Sequence, residues 1–128
     1  MEEKLKQRSS ACFRVVLIGP ESTGKTTMAK QLASHFKTVW VEEYMRKYLQ
    51  EKWDLKKEIC KPNDILPIAV GQMNLENEKV GLADKVLICD TNLLELVVYS
   101  KAYYNNFCEP SLLKHALNNW YDLYFLTN

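Results

Sequence analysis

The run Gly19-Pro20-Glu21-Ser22-Thr23-Gly24-Lys25-Thr26 fits GxxxxGK[ST], a spacing suited to cradling phosphate. Glycine lets the backbone fold closely around phosphate oxygens, because there is no Cβ to clash. The amides of Gly19, Glu21, Ser22, Thr23 and Gly24, and the helix start that follows, would then present donors and a positive dipole end. Lys25 would bring a point charge to the β- and γ-phosphates, and the Thr26 hydroxyl could ligate Mg²⁺. Thr27 is placed for the α-phosphate. A lysine in such a loop is expected to be exposed and to add little to folding. The competing reading is a tight turn capped by Ser22 or Thr23. Chance matches to the four fixed positions arise in roughly 0.4% of chains this long, which favours the phosphate reading.

Carboxylates form the second group. Asp90-Thr91-Asn92 follows an apolar run, where a P-loop fold holds its metal carboxylate. The same three residue types cap helices well, so capping is the alternative. Glu42-Glu43-Tyr44-Met45-Arg46 also follows an apolar run. Glu43 could accept the proton of a hydroxyl nucleophile or orient it, and Arg46 could meet a substrate or phosphate oxygen. A solvated charge pair at a helix start is the alternative. Gln72 and Glu76, four residues apart, share a face with Ile65, Ile68 and Ala69 and could reach a cleft or edge a solvated face. Tyr44, Tyr48, Tyr103 and Tyr104 could stack on a flat ring, although aromatics at this spacing commonly fill cores. His35 and His115 take no role.

These groups need elements to position them. Residues 13–18 are β-rich and nearly all apolar, as in a strand buried on both faces. Ala29, Leu32, Ala33 and Phe36 give a helical stripe after the loop. Strands are expected at 38–43, 85–90 and 122–127, and helices after 45, over about 64–82, over 93–104 and from Pro110. This β-α alternation predicts a parallel sheet with helices on both faces. Residues 1–12 read as a flexible, solvated tail, and 13–128 as one nucleotide-binding domain.

The 128 residues carry a net charge of +1, which argues against a nucleic-acid partner. No run reaches the ~20 apolar residues that span a bilayer. Cys12, Cys60, Cys89 and Cys108 form no CxxC pair and read as reduced thiols of a cytoplasmic protein.

The segments GPESTGKTT, EEYMRKYL, the helix from Gln72 to Glu76, CDTNLLE and YDLYFLT occur here in that order. In order and spacing they resemble the NadR-like P-loop family of NAD metabolism. The resemblance implies a three-layer α/β/α kinase core with four parallel strands ordered 2-3-1-4. It implies ATP with Mg²⁺ and phosphoryl transfer to the 5′-hydroxyl of nicotinamide riboside or a similar nucleoside. On that basis Gly24, Lys25, Thr26 and Thr27 hold ATP, and Thr26 and Asp90 hold the metal. Lys25, Glu43 and Asp90 carry the transfer, and Glu43, Tyr44, Arg46 and Gln72 meet the nucleoside. The family continues with an arginine-bearing lid, a fifth strand and a last helix, whereas this sequence stops at Asn128. The domain is therefore expected to be incomplete, to turn over poorly alone, and to self-associate through the edge of strand 123–127. A nucleotide-binding regulatory module without turnover is the alternative function.

Overall fold

The computed structural model describes residues 2–20 and 24–127. Its strands are β1 (Phe13–Ile18), β2 (Trp40–Val41), β3 (Val86–Asp90) and β4 (Leu123–Leu126). Its helices are α1 (Lys25–His35), α2 (Tyr44–Lys56), α3 (Ile65–Val80), α4 (Leu93–Tyr103) and α5 (Pro110–Asn118). All strand pairs are parallel, in the order β2-β3-β1-β4, as expected.

Strand alternation explains the layering. On one face Val15, Leu17 and Ile88 pack with Ala29 and Ala33 of α1. On the other, Val16, Leu87, Cys89 and Val41 pack with Val80 of α3 and with Tyr121. A further core joins α3, α4 and α5 through Ile68, Met73, Leu93, Leu96 and Leu112. The register sets Leu17 of β1 beside Asp90 of β3, which brings the loop after β1 and the carboxylate that ends β3 together at the C-terminal end of the sheet.

Two expectations about the elements need correction. Strand β2 spans only Trp40–Val41, not 38–43. Before it, Thr38 engages β3 through its side chain: Oγ1 donates to the Val86 carbonyl and accepts from the Asp84 N–H. After it, Gln72 takes the backbone groups on both sides of Glu43. The second correction concerns the N-terminal segment read as a solvated tail, which among the described residues docks on the domain through Leu5, Gln7 and Arg8. Glu2–Leu5 forms a 3₁₀ turn, and Leu5 is fully buried within the α3–α5 core. Gln7 donates to Glu76 and to the Trp120 carbonyl, and Asn77 accepts the Arg8 N–H. One apolar side chain in a charged run is enough to dock the segment when its polar groups also find partners.

Asp64 ties α2 to the start of α3. It accepts from Tyr48 Oη (2.9 Å), Lys52 Nζ (2.6 Å) and the Lys61 N–H (2.8 Å). Burial works to raise its pKa, but these donors outweigh burial and hold it below 3.8. Burial, together with Asp64, pushes the Tyr48 phenol up to about 12. A depressed carboxylate stabilises the fold above its unfolded pKa, and that stabilisation is lost as pH falls through the folded value. Native protein should therefore melt above Asp64→Asn at neutral pH, with the gap in Tm closing between about pH 5 and pH 2. A gap that stays constant in thermal melts across that range would count against this role for Asp64.

Candidate active site

The loop leaves β1 at Gly19, where a side chain has no room. A Cβ there would lie 2.0 Å from Thr127 Oγ1 and 2.5 Å from the Thr127 carbonyl oxygen, because Thr127 crosses the strand end. Gly24 re-enters α1 at φ +79°, in the left-handed region that favours glycine, with open space around it. Glu21, Ser22 and Thr23 lie outside the described residues. The first turn of α1 has no acidic residue, so its positive end is uncompensated by its own side chains. A cavity of about 260 Å³ opens over it, lined by Pro20, Gly24, Lys25, Thr26, Thr27 and Arg46, with Glu43 at its side.

Lys25 does not project freely into this cavity. It is 5% exposed and stands 3.2 Å from Glu43, 3.1 Å from Glu95 and 3.6 Å from Asp90. Burial works to lower its pKa, but the three carboxylates together raise it above 10.5. Burial raises Glu43 above 4.5, with Lys25 opposing the shift and Asp90 and Glu95 adding to it. The expectation of an exposed, energetically idle lysine is therefore corrected.

Asp90 closes β3 and is almost fully buried. Thr26 Oγ1 donates to its Oδ2 at 2.6 Å, while Oδ1 is buried with no hydrogen-bond partner. Helix capping is the work of Asn92, whose side chain accepts the Leu94 N–H. Between them Thr91 holds φ +84°, a strained conformation for a β-branched residue, with its N–H bonded to the Leu17 carbonyl. A buried carboxylate oxygen without a hydrogen bond, beside a hydroxyl and 3.6 Å from Lys25, fits Mg²⁺, which binds few protein oxygens and keeps water and phosphate oxygens as its other ligands. No cluster of three or more His, Cys, Asp or Glu suited to a metal exists among the described residues, so such an ion would need those outside oxygens.

On the other flank, Glu43 is the N-terminal boundary of α2. Gln72 fixes the bend around it: Oε1 accepts the Tyr44 N–H (2.8 Å) and Nε2 donates to the Glu42 carbonyl (3.0 Å). Gln72 is thus a buried positioning residue spent on backbone, not a side chain reaching into the cleft. Tyr44 likewise lies flat on α3, where a Cβ on Gly71 would meet its ring at 2.1 Å. The side chains of Tyr44 and Gln72 are thus engaged with α3 and with the backbone beside Glu43. Glu76 faces away altogether, into the pairing with Arg14. Arg46 reaches back from α2, with Nη1 donating to Thr26 Oγ1 at 3.4 Å. A second cavity of about 470 Å³ shares Thr26, Glu43 and Arg46 with the first and adds Trp40, Asp90 and Lys30.

Glu95 is the residue that sequence reading missed. Its Oε1 accepts the Gly19 N–H at 2.8 Å, and both its oxygens accept from Lys25. The available signal was Asn92-x-x-Glu95, but that spacing reads first as a capping box. In the structure the Asn92 half of the box forms, while the Glu95 carboxylate turns to the loop.

This geometry agrees with comparisons against known proteins. The chain is similar to adenylate kinase 9 of Mus musculus, 35% identical over 104 residues, covering 77% of this chain and 5% of that protein. It is 30% identical over 89 residues to the trifunctional NAD biosynthesis/regulator protein NadR of Salmonella typhimurium, covering 70% of this chain and 22% of that protein. Among solved structures it is similar to NadR in complex with NR (TM-score 0.80, 27% identity, 91% of this chain and 33% of that one). NadR in complex with NAD and AMP-PNP gives a TM-score of 0.79 at 27% identity, over 91% of this chain and 34% of that one. The chain thus spans at most about a third of these relatives. The resemblance to NadR-like proteins and the P-loop kinase fold are borne out. A family model described as AAA domain matches residues 14–128, from the first strand onward, and the chain belongs to that family.

Proposed function

We propose that this chain is an ATP-dependent kinase that transfers the γ-phosphate to the 5′-hydroxyl of nicotinamide riboside or a similar nucleoside. The observation that carries this reading is the Lys25–Glu43 pair, 3.2 Å apart where the two cavities meet. Phosphoryl transfer asks a protein mainly for positioning and for charge to offset the phosphoryl oxygens. The Gly24 amide, with Lys25, Thr26 and Thr27, holds the triphosphate. Thr26 and Asp90 hold Mg²⁺, which when bound supplies charge compensation at the β- and γ-oxygens.

Glu43 faces the second cavity and takes, or orients, the proton of the acceptor hydroxyl. Burial and the neighbouring carboxylates raise its pKa, which makes it a better base than an ordinary glutamate. Arg46 lines both cavities, which supports a role for it on the phosphoryl group in transit. Glu42, Glu43, Glu51 and Asp90 line the acceptor cavity together with Lys30, Arg46 and Lys47, a near balance of charge that suits a neutral or singly charged nucleoside. The likeness to a NadR structure holding NR supports this acceptor class.

Glu43→Gln is expected to lower kcat by ~10²–10⁴-fold with MgATP affinity near native. An unchanged kcat would remove Glu43 from the chemistry. Among the described residues Arg46 is the one guanidinium at the site, since Arg8 bonds Asn77 and Arg14 is locked on Glu76. Turnover is therefore expected below the usual ~1–100 s⁻¹ of kinases.

Two coarser features complete the reading. No helix among the described residues is long and apolar enough to cross a membrane. The four thiols are free, which supports a reducing, cytoplasmic setting. Strand β4 is an edge with Leu123, Tyr124, Phe125 and Leu126 between 41% and 76% exposed, and it supports self-association of two copies. Sedimentation as a monomer at every concentration would contradict that association.

A further inference from the structure

Lys25 offers three N–H donors, which go to Glu43 at 3.2 Å and to both oxygens of Glu95 at 3.1 and 3.2 Å, while Asp90 stands 3.6 Å away as an ion-pair partner without a hydrogen bond. To reach a phosphate oxygen, the ammonium must give up one of these partners. They differ in what release costs. Asp90 is 1% exposed and Glu43 11%, so neither can be rehydrated where it stands. Glu95 is 24% exposed, at the first turn of α4, and water can take over its oxygens. Glu95 also accepts the Gly19 N–H at 2.8 Å, so it joins the start of the loop to the lysine at its end.

We propose that Glu95 is the group nucleotide displaces from Lys25, and that its charge beside the loop makes nucleotide entry depend on a divalent cation. The proposal rests on the nucleotide-binding reading above. Three carboxylates face two cations, Lys25 and Arg46, so the site is net negative before any ligand arrives. A metal-free triphosphate adds several like charges and meets Glu95 at close range once Lys25 has turned away. With a cation at Thr26 and Asp90, part of that repulsion is offset. Glu95 therefore penalises metal-free nucleotide more than metal-bound nucleotide.

The test is calorimetric titration of ATP in excess Mg²⁺ and in EDTA, with native protein and Glu95→Gln. Glutamine keeps an oxygen for the Gly19 N–H and removes the charge. Glu95→Gln is expected to bind metal-free ATP about tenfold more tightly and to change MgATP affinity much less. Glu95→Asp, which keeps the charge, should retain native discrimination. Glu95→Ser gives a second neutral variant, and thermal melts confirm that each variant is folded. A purely structural role would shift both affinities together; an equal shift, no shift, or weaker metal-free binding in the neutral variants overturns the proposal. If native protein binds ATP in neither condition, the nucleotide-binding reading itself falls, and this inference with it.

Discussion

Lys25→Ala is expected to lower MgATP affinity by about a hundredfold and to destabilise the folded chain by about 2–4 kcal/mol. The two losses have one cause. In the nucleotide-free state Lys25 is the counter-charge for Glu43, Asp90 and Glu95, and its removal leaves three carboxylates close together. Breaking one side of a buried ion pair costs more than the pair contributes, because the remaining charge stays desolvated. Part of the cost is relieved here, since Glu95 can hydrate and Glu43 is already raised by burial. The same ammonium is the point charge available to β- and γ-phosphates once nucleotide replaces a carboxylate. Calorimetry with MgATP and a thermal melt check both halves. Native affinity in the variant would remove the loop from nucleotide binding, and a native Tm would show that the carboxylates do not depend on Lys25.

Glu76→Ala is expected to cost about 3–5 kcal/mol, a large share of the ~5–15 kcal/mol typical of a domain. Glu76 is 1% exposed, below the sheet and far from the loop. Arg14 Nη1 donates to it at 2.5 Å, Tyr121 Oη at 2.5 Å and Gln7 Nε2 at 2.9 Å. The Cys89 thiol also approaches, at 3.8 Å. Burial, with Glu76 adding to it, holds the Tyr121 phenol and the Cys89 thiol well up, so both stay protonated as donors. Without Glu76 the buried Arg14 guanidinium loses its ion-pair partner, with Asp122 the remaining carboxylate that acts on it. The docked N-terminal segment loses its Gln7 contact to α3 as well. Replacing Arg14 and Glu76 together with apolar residues of similar volume should recover much of the loss, as it does for other buried pairs. Denaturant midpoints measure this, and a loss under 1 kcal/mol for Glu76→Ala would contradict the account.

The central strands and the phosphate loop were legible because each rests on a local pattern, whereas the order 2-3-1-4 came from the resemblance to the NadR-like family. Residues 13–18 are apolar except for Arg14, and 86–89 are apolar throughout, as suits strands covered on both faces, and β1 and β3 occupy the centre of the sheet. The loop spacing falls between such a strand and a helical stripe. Less legible were residues whose partners are distant in sequence. Gln72 and Glu76 share a helix face, yet one bonds the backbone beside Glu43 and the other a residue of β1. No spacing rule separates those fates. Leu5 is one apolar residue among charges, and only the seam between α3 and α5 explains its burial. Glu95 was hidden by its own local meaning, since a glutamate three residues after a capping asparagine is an ordinary helix start. Strand β2 was overextended because Thr38 favours strands by type but joins β3 through its hydroxyl.

The central claim is that the two cavities sharing Thr26, Glu43 and Arg46 hold a phosphoryl donor and its acceptor together. The measurement that tests it most directly follows γ-labelled ATP, with Mg²⁺ and nicotinamide riboside, over the native chain by mass spectrometry. The expected result is riboside carrying one added phosphate, formed slowly, and lost in Asp90→Asn. ATP bound or hydrolysed with the riboside unmodified would contradict it, and would leave a nucleotide-binding module that does not transfer to small molecules.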